Sequence, residues 1–164
     1  MPIQLDFSKD PSLNRYGEVP VYLQIDSVVL LDWLPLHLPS FAAWGFSCLQ
    51  MTFKHPRACM ELEGYGHYLL LAQAQDSFLI ACSYTQTEVT VNHTSLMRAW
   101  FQFATEVKQF RTACFEGADP FGWWFLLEAY PPPNLEEHLL RFSDIGVHEE
   151  FAFLKSETKQ AIFA

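Results

Sequence analysis

The strongest constraint in this sequence is that its apolar alternation comes in pairs separated by only a few turn-forming residues. Val21, Leu23 and Ile25 alternate with Tyr22, Gln24 and Asp26, and after Asp26-Ser27 a second apolar run covers Val28 to Trp33. The pattern repeats with Tyr68 to Ala74 and Phe78 to Tyr84 around Gln75-Asp76-Ser77. Side chains on a strand alternate between faces, and a short polar turn can only return the chain antiparallel beside itself. Further short strands are expected at Ile3, Leu5 and Phe7, at Cys59 to Glu63 before Gly64-Tyr65-Gly66, and at Glu88 to Val91. Strands in hairpins, not singly between helices, predict an antiparallel sheet.

Two segments read as the main helices. Pro35 and Pro39 are expected to end the second strand, with Pro39 opening a helix from 39 to 51. Its Phe41, Trp44, Cys48 and Met51 (or Leu49) form a stripe at spacings of three and four. The clearer helix spans 94 to 116. Leu96, Trp100, Phe103, Ala104, Val107, Phe110 and Cys114 fall on one broad face, and Gly117 is a natural stop. Asn92-His93-Thr94, formally a glycosylation acceptor, reads as the start of this helix. The fold class expected is α+β: one antiparallel sheet of hairpins, with both helices packed on one face and a helical C-terminal tail.

That tail, residues 113–164, is read as an extension of a single domain covering 1–164. Asp119-Pro120 suits a helix start, so 121–129 is a short helix or, almost equally, a buried strand. Asn134 and Glu137 can cap a helix from Leu135 to Phe142 after the stiff Pro131-Pro132-Pro133. Val147 to Leu154 is expected as an edge strand or another turn of helix.

A chain of 164 residues with half its residues hydrophobic and 16% aromatic can bury a substantial core. No apolar run approaches the roughly 20 residues of a membrane helix. MPIQLDFSKD has no basic stretch leading into an apolar one, so no secretory signal is expected and the cytoplasm is the anticipated location. The net charge is −9, and the basic residues are scattered singly, which argues against nucleic acid or an anionic membrane as partner. From Asp119 onward, eight acids face three bases.

Motifs for chemistry are missing. GxSxG is absent, Gly64-Tyr65-Gly66-His67 lacks the Lys-Ser or Lys-Thr of a phosphate loop, and the six histidines are isolated. Cys48, Cys59, Cys82 and Cys114 show no zinc spacing and lie in apolar surroundings, as buried free thiols do. Glu61 and Glu63 share a strand face about 6 to 7 Å apart, but no base or metal ligand accompanies them. No catalytic residue, metal or cofactor is therefore expected, and the protein is read as a non-enzyme.

The aromatic residues carry more information. Trp123 and Trp124 are adjacent, so at most one of them easily faces a core, and large aromatics beside charge are typical anchors of protein interfaces. The candidate partner-binding residues are Asp119, Trp123, Trp124, Glu128, Glu136, Glu137, Asp144, Glu149 and Glu150. The run Val21-Tyr22-Leu23-Gln24-Ile25-Asp26-Ser27, then Val29-Leu30-Leu31-Asp32 and a helix ending near Leu49, resembles small bacterial immunity-type proteins. In that group a hairpin of the form "ltId…vll" precedes a helix, and a second hairpin closes on a long helix, as Tyr68 to Leu71, Phe78 to Ile80 and Leu96 to Phe110 do here. The resemblance covers roughly residues 19–112. It implies a protein that neutralises a cognate toxin domain of contact-dependent inhibition or type VI secretion by occluding its active site. A small-molecule-binding domain (or degenerate enzyme) and a subunit of a larger assembly are the other classes the composition allows.

Overall fold

In a computed structural model, residues 2–10, 18–62, 66–115 and 147–163 are described. They form two antiparallel sheets with helices, an α+β fold. β1 (Ile3–Phe7), β2 (Glu18–Ile25) and β3 (Val28–His37) make a three-stranded sheet in that order. Helix α1 (Leu38–Met51) leads to β4 (Arg57–Leu62), β5 (His67–Ala74), β6 (Ser77–Cys82) and β7 (Thr87–Val91), a four-stranded meander. The chain continues into α2 (His93–Phe115), and the tail carries α3 (Val147–Glu150) and α4 (Ser156–Phe163).

Where one sheet was expected there are two. The outer edge of β3 lies beside β7 without sharing a ladder with it. Leu30 on that edge gives its carbonyl to the Thr85 hydroxyl, 3.0 Å away. Just beyond, Trp33 interrupts the strand with φ of 54°, in a bulge that shifts the register between Val21 and Leu23. A bulged edge cannot present an even row of donors, so the meander stays separate.

The prolines do not end β3, which runs on through Pro35 to His37. The reason is the direction of the missing donor. Val19↔Leu36 and Val21↔Leu34 flank the Pro20↔Pro35 rung. Pro20 accepts from Ser8 across β1, which places its own main-chain groups on the β1 side. The Pro20↔Pro35 rung is therefore a non-hydrogen-bonded one, and the ring nitrogen of Pro35 points out of the sheet, where no ladder bond is lost. Helix α1 is then capped by His37, whose Nδ1 lies 2.7 Å from the Ser40 hydroxyl and accepts from the Ser40 amide. Pro39 sits in the first turn, where its lack of a donor costs nothing.

Helix α1 is buried on more than the expected stripe. Ala42, Ala43, Gly45, Ser47 and Leu49 are buried alongside Phe41 and Cys48, while Trp44 and Met51 are half-buried. The helix is covered on one side by the sheets and on another by α2. A Cβ on Gly45 would overlap the indole of Trp100, and that indole donates from Nε1 to the Ala42 carbonyl at 3.2 Å. Trp100 also packs on Phe41 with ring centroids 4.9 Å apart. Helix α2 starts as expected from Asn92, whose side chain accepts from the Ser95 amide at 2.9 Å. Its stripe of Leu96, Trp100, Phe103 and Val107 is buried, and Phe103 meets Phe7 of β1 edge-to-face at 5.7 Å.

β5 is covered on both faces. Leu69 and Leu71 enter the main core with the helices, while Leu70 and Ala72 join Cys59 and Ala81 in a second cluster. That second cluster is closed by Phe151 and Leu154 from the tail. The stretch from 147 is thus a turn of helix, not an edge strand. Glu88 of β7 fixes the start of α4, since its carboxylate accepts from the Lys155 amide and the Thr158 hydroxyl, both at 2.9 Å. The expected helix or strand at 121–129 and the expected helix at 135–142 lie outside the described residues.

This packing should be visible in stability. Trp100→Ala should cost about 3 to 5 kcal/mol as a large-to-small core change, and Gly45→Ala about 1 to 3 kcal/mol by overpacking, both read from urea midpoints. The Cys48 thiol is pushed up from 9.0 to about 12 by burial, its backbone hydrogen bond acting the other way. A folded pKa raised above the unfolded value contributes stability below about pH 9 that is lost as pH rises toward about 12. Unfolding curves above about pH 9 should therefore weaken less in Cys48→Ala than in the parent.

Candidate functional site

The tail brings acid onto the outer face of the four-stranded sheet. Phe151 and Leu154 anchor in the second cluster, so the preceding Glu149 is exposed and Glu150 is half-buried against the sheet. Glu61 of β4 is directly opposite Tyr68 of β5 in the register. Cys59 and Tyr68 belong to the second cluster, so by strand alternation Glu61 is on the same face. Glu150 Oε2 lies 3.7 Å from His67 Nδ1, and the His67 ring meets Tyr84 edge-on at 5.3 Å. Tyr84 is 47% exposed. The result is one patch of carboxylates, phenols and an imidazole.

Its electrostatics are consistent. Tyr68 has its pKa raised above 10.0, first by partial burial, then by the charges of Glu61, Cys59 and Glu150. The Cys59 thiol beneath is pushed up by burial, with Cys48, Glu150 and Glu61 adding to the shift and Arg57 opposing it. Burial disfavours charge of either sign, so it is the Glu61 and Glu150 carboxylates beside the Tyr68 ring that suit a guanidinium or ammonium group.

Ser83, His67 and Glu150 are close enough to suggest a hydrolytic relay, but the geometry is wrong for one. Both Ser83 Oγ, at 3.2 Å, and Glu150 Oε2 approach the same ring nitrogen, Nδ1. A relay needs the nucleophile and the acid on opposite nitrogens. Ser83 is also buried and accepts from the Tyr68 amide at 2.8 Å, so it ties β5 to the end of β6. Among the described residues, no group of three or more His, Cys, Asp or Glu side chains could hold a metal. No helix of these residues is long and apolar enough to cross a membrane.

Of the candidates read from the sequence, Glu149 and Glu150 are placed: Glu150 joins Glu61 beside Tyr68, while Glu149 is exposed. Asp119, Trp123, Trp124, Glu128, Glu136, Glu137 and Asp144 lie outside the described residues, as does Glu63. Several exposed aromatics escape the sequence reading: Trp33, Phe53, Tyr84 and Phe101. For Phe101 the signal was present, because it follows Trp100 by one residue and so falls off the buried stripe of α2. Phe101 and Phe46, with centroids 5.7 Å apart, line an open groove between α1 and α2 together with Ala42, Ala43, Ala104 and Lys108. Its volume is about 380 Å³. The gap between β3, α1 and β4 is by contrast filled, with space of about 10 Å³ beside Trp44 and Glu61.

Comparison with protein families, characterised proteins and solved structures gave no match for this chain. The reading of the patch therefore rests on its own chemistry. Its charge coupling is directly measurable. Tyr68 should titrate above 10.0, and a Glu61→Gln, Glu150→Gln variant should bring it back toward that value in a pH titration followed by NMR. An unchanged Tyr68 titration in the double variant would show that burial alone sets the shift.

Proposed function

We propose that the protein is a cytoplasmic immunity-type inhibitor that binds a basic toxin domain and blocks its active site, without catalysis of its own. The observation that carries this reading is the convergence of Glu150 and Glu61 around Tyr68, beside the exposed Tyr84. Carboxylates at a rim accelerate encounter with a cationic surface, and a partly exposed ring beside them supplies the desolvated anchor that slows release. The overall charge of −9 acts in the same direction at longer range. Asp119, Trp123, Trp124, Glu128, Glu136, Glu137 and Asp144 extend the proposed interface by their chemistry, with one of the two tryptophans as a second anchor.

The test is co-expression with the product of the adjacent gene, pull-down, and binding kinetics. Charge reversal at Glu61, Glu149 and Glu150 should slow association at low salt, and the effect should fade once screening acts within about 8 to 10 Å. Tyr84→Ala should instead shorten the lifetime of the complex, by about thirtyfold if it is an anchor worth about 2 kcal/mol. Unchanged kinetics in a folded variant carrying all four changes would move the interface off this face. The apolar α1–α2 groove favours a second reading, a site for a small apolar ligand, since about 380 Å³ lies within the range of ligand pockets. A ligand that raises the melting temperature of the parent but not of Phe101→Lys would support it.

A further inference from the structure

The outer edge of β1 carries main-chain groups that no neighbouring strand takes up among the described residues. Two bonds flank the β1–β2 ladder: the Asp26 amide to the Pro2 carbonyl and the Ser8 amide to the Pro20 carbonyl, both 3.0 Å. They continue the register Ile3↔Ile25 to Phe7↔Val21. Hydrogen-bonded rungs alternate with open ones in an antiparallel pair, so Gln4 and Asp6 spend their main-chain groups on β2. Ile3, Leu5 and Phe7 therefore turn theirs outward.

Phe7 is blocked. Its amide donates to its neighbour's carboxylate, Asp6 Oδ1, at 2.8 Å, and its carbonyl accepts from Lys9 Nζ at 3.3 Å. Lys9 is held there by its 2.9 Å ion pair with Asp6 and by the Phe7 ring, whose centroid is 3.6 Å away. Ile3 and Leu5 have no such cover among the described residues. Edge strands left open in this way are templates for another strand.

The space beside them fits a chain. A groove of about 290 Å³ is lined on one side by four consecutive residues, Ile3, Gln4, Leu5 and Asp6. Consecutive residues point to opposite faces, so a groove touching all four runs along the strand's edge. Its other wall is one stripe of α2, with Ala99, Gln102 and Glu106 on it. Among the described residues the lining holds the carboxylates of Asp6, already paired with Lys9, and of Glu106, and no basic side chain. The other outer edge, that of β3, is closed by the Trp33 bulge, by Pro35 and by Thr85.

We infer that an extended, basic segment of a partner protein adds to the edge of β1, pairing with the main-chain groups of Ile3 and Leu5 while a cationic side chain meets Glu106. This goes beyond the inhibitor reading and does not depend on the partner being a toxin. The Asp6–Lys9 plug fixes how far such a strand can extend, because pairing must stop before Phe7.

The test uses the full protein and a short capped peptide of alternating lysine and valine, followed by amide NMR. At about 1 mM peptide the Ile3 and Leu5 amides should shift and exchange more slowly with solvent, by about tenfold. Leu5→Pro removes an outward amide and no bond to β2, so it should weaken binding by up to about tenfold. Glu106→Lys lies on the helix and leaves the strand intact, so it decides the matter if the proline variant does not fold. It should weaken the lysine peptide and favour a glutamate–valine one. Charge reversal at Glu61 and Glu150 should leave peptide binding unchanged, which separates this result from the inhibitor test. Shifts centred on the α1–α2 groove or the Tyr84 patch would overturn the proposal. So would no response at about 1 mM, or equal binding by Glu106→Lys.

Discussion

Trp100 and Gly45 approach so closely that the indole takes the place a side chain at 45 would fill, and its nitrogen is satisfied by the Ala42 carbonyl one turn away. That contact sets the spacing between α1 and α2. From it the aromatic contacts extend through Phe41 and Phe103 to Phe7, so the first strand of the chain is tied to its long helix. The sheets meet the helices over this same continuous core. A small residue and a large one thus act as a matched pair, and neither position tolerates change without the other responding.

Hairpins, helix starts and the buried stripe of α2 were legible because each depends on neighbours a few residues away. Pro35 misleads in the sequence because proline's effect in a strand depends on which way its nitrogen faces, and that is set by pairing with Pro20. The separation into two sheets was hidden for a similar reason. Nothing local to Trp33 announces a left-handed backbone, which is costly for a bulky residue and rests on its stacking with Tyr22 at 5.2 Å. In the site, the acidity of Glu149 and Glu150 was visible, but the meeting of Glu150 with Glu61 was not. It arises from Phe151 and Leu154 filling a cluster whose other members belong to β4, β5 and β6.

The two surfaces recognise different things. The Glu61–Tyr68–Glu150 patch offers side-chain charge and ring faces, so its selectivity lies in the partner's cations. The β1 edge offers amides and carbonyls that any backbone can satisfy, and takes its selectivity from the Glu106 carboxylate beside it. Side-chain patches tolerate drift in sequence on both partners less well than main-chain pairing does. A protein that must keep one partner and refuse its relatives benefits from having the first kind in addition to the second.

The unzipped boundary between β3 and β7 has a consequence for how the molecule opens. Apart from the bond from Thr85 to Leu30, side-chain packing holds this boundary, with no continuous ladder. Breaking a ladder requires the cooperative loss of many bonds, whereas parting a packed seam exposes apolar surface gradually. Opening along this seam therefore requires no ladder to break, only the parting of side chains in the shared core. The amides on the outer edge of β3 should exchange before those of β5, which is paired on both edges and covered on both faces.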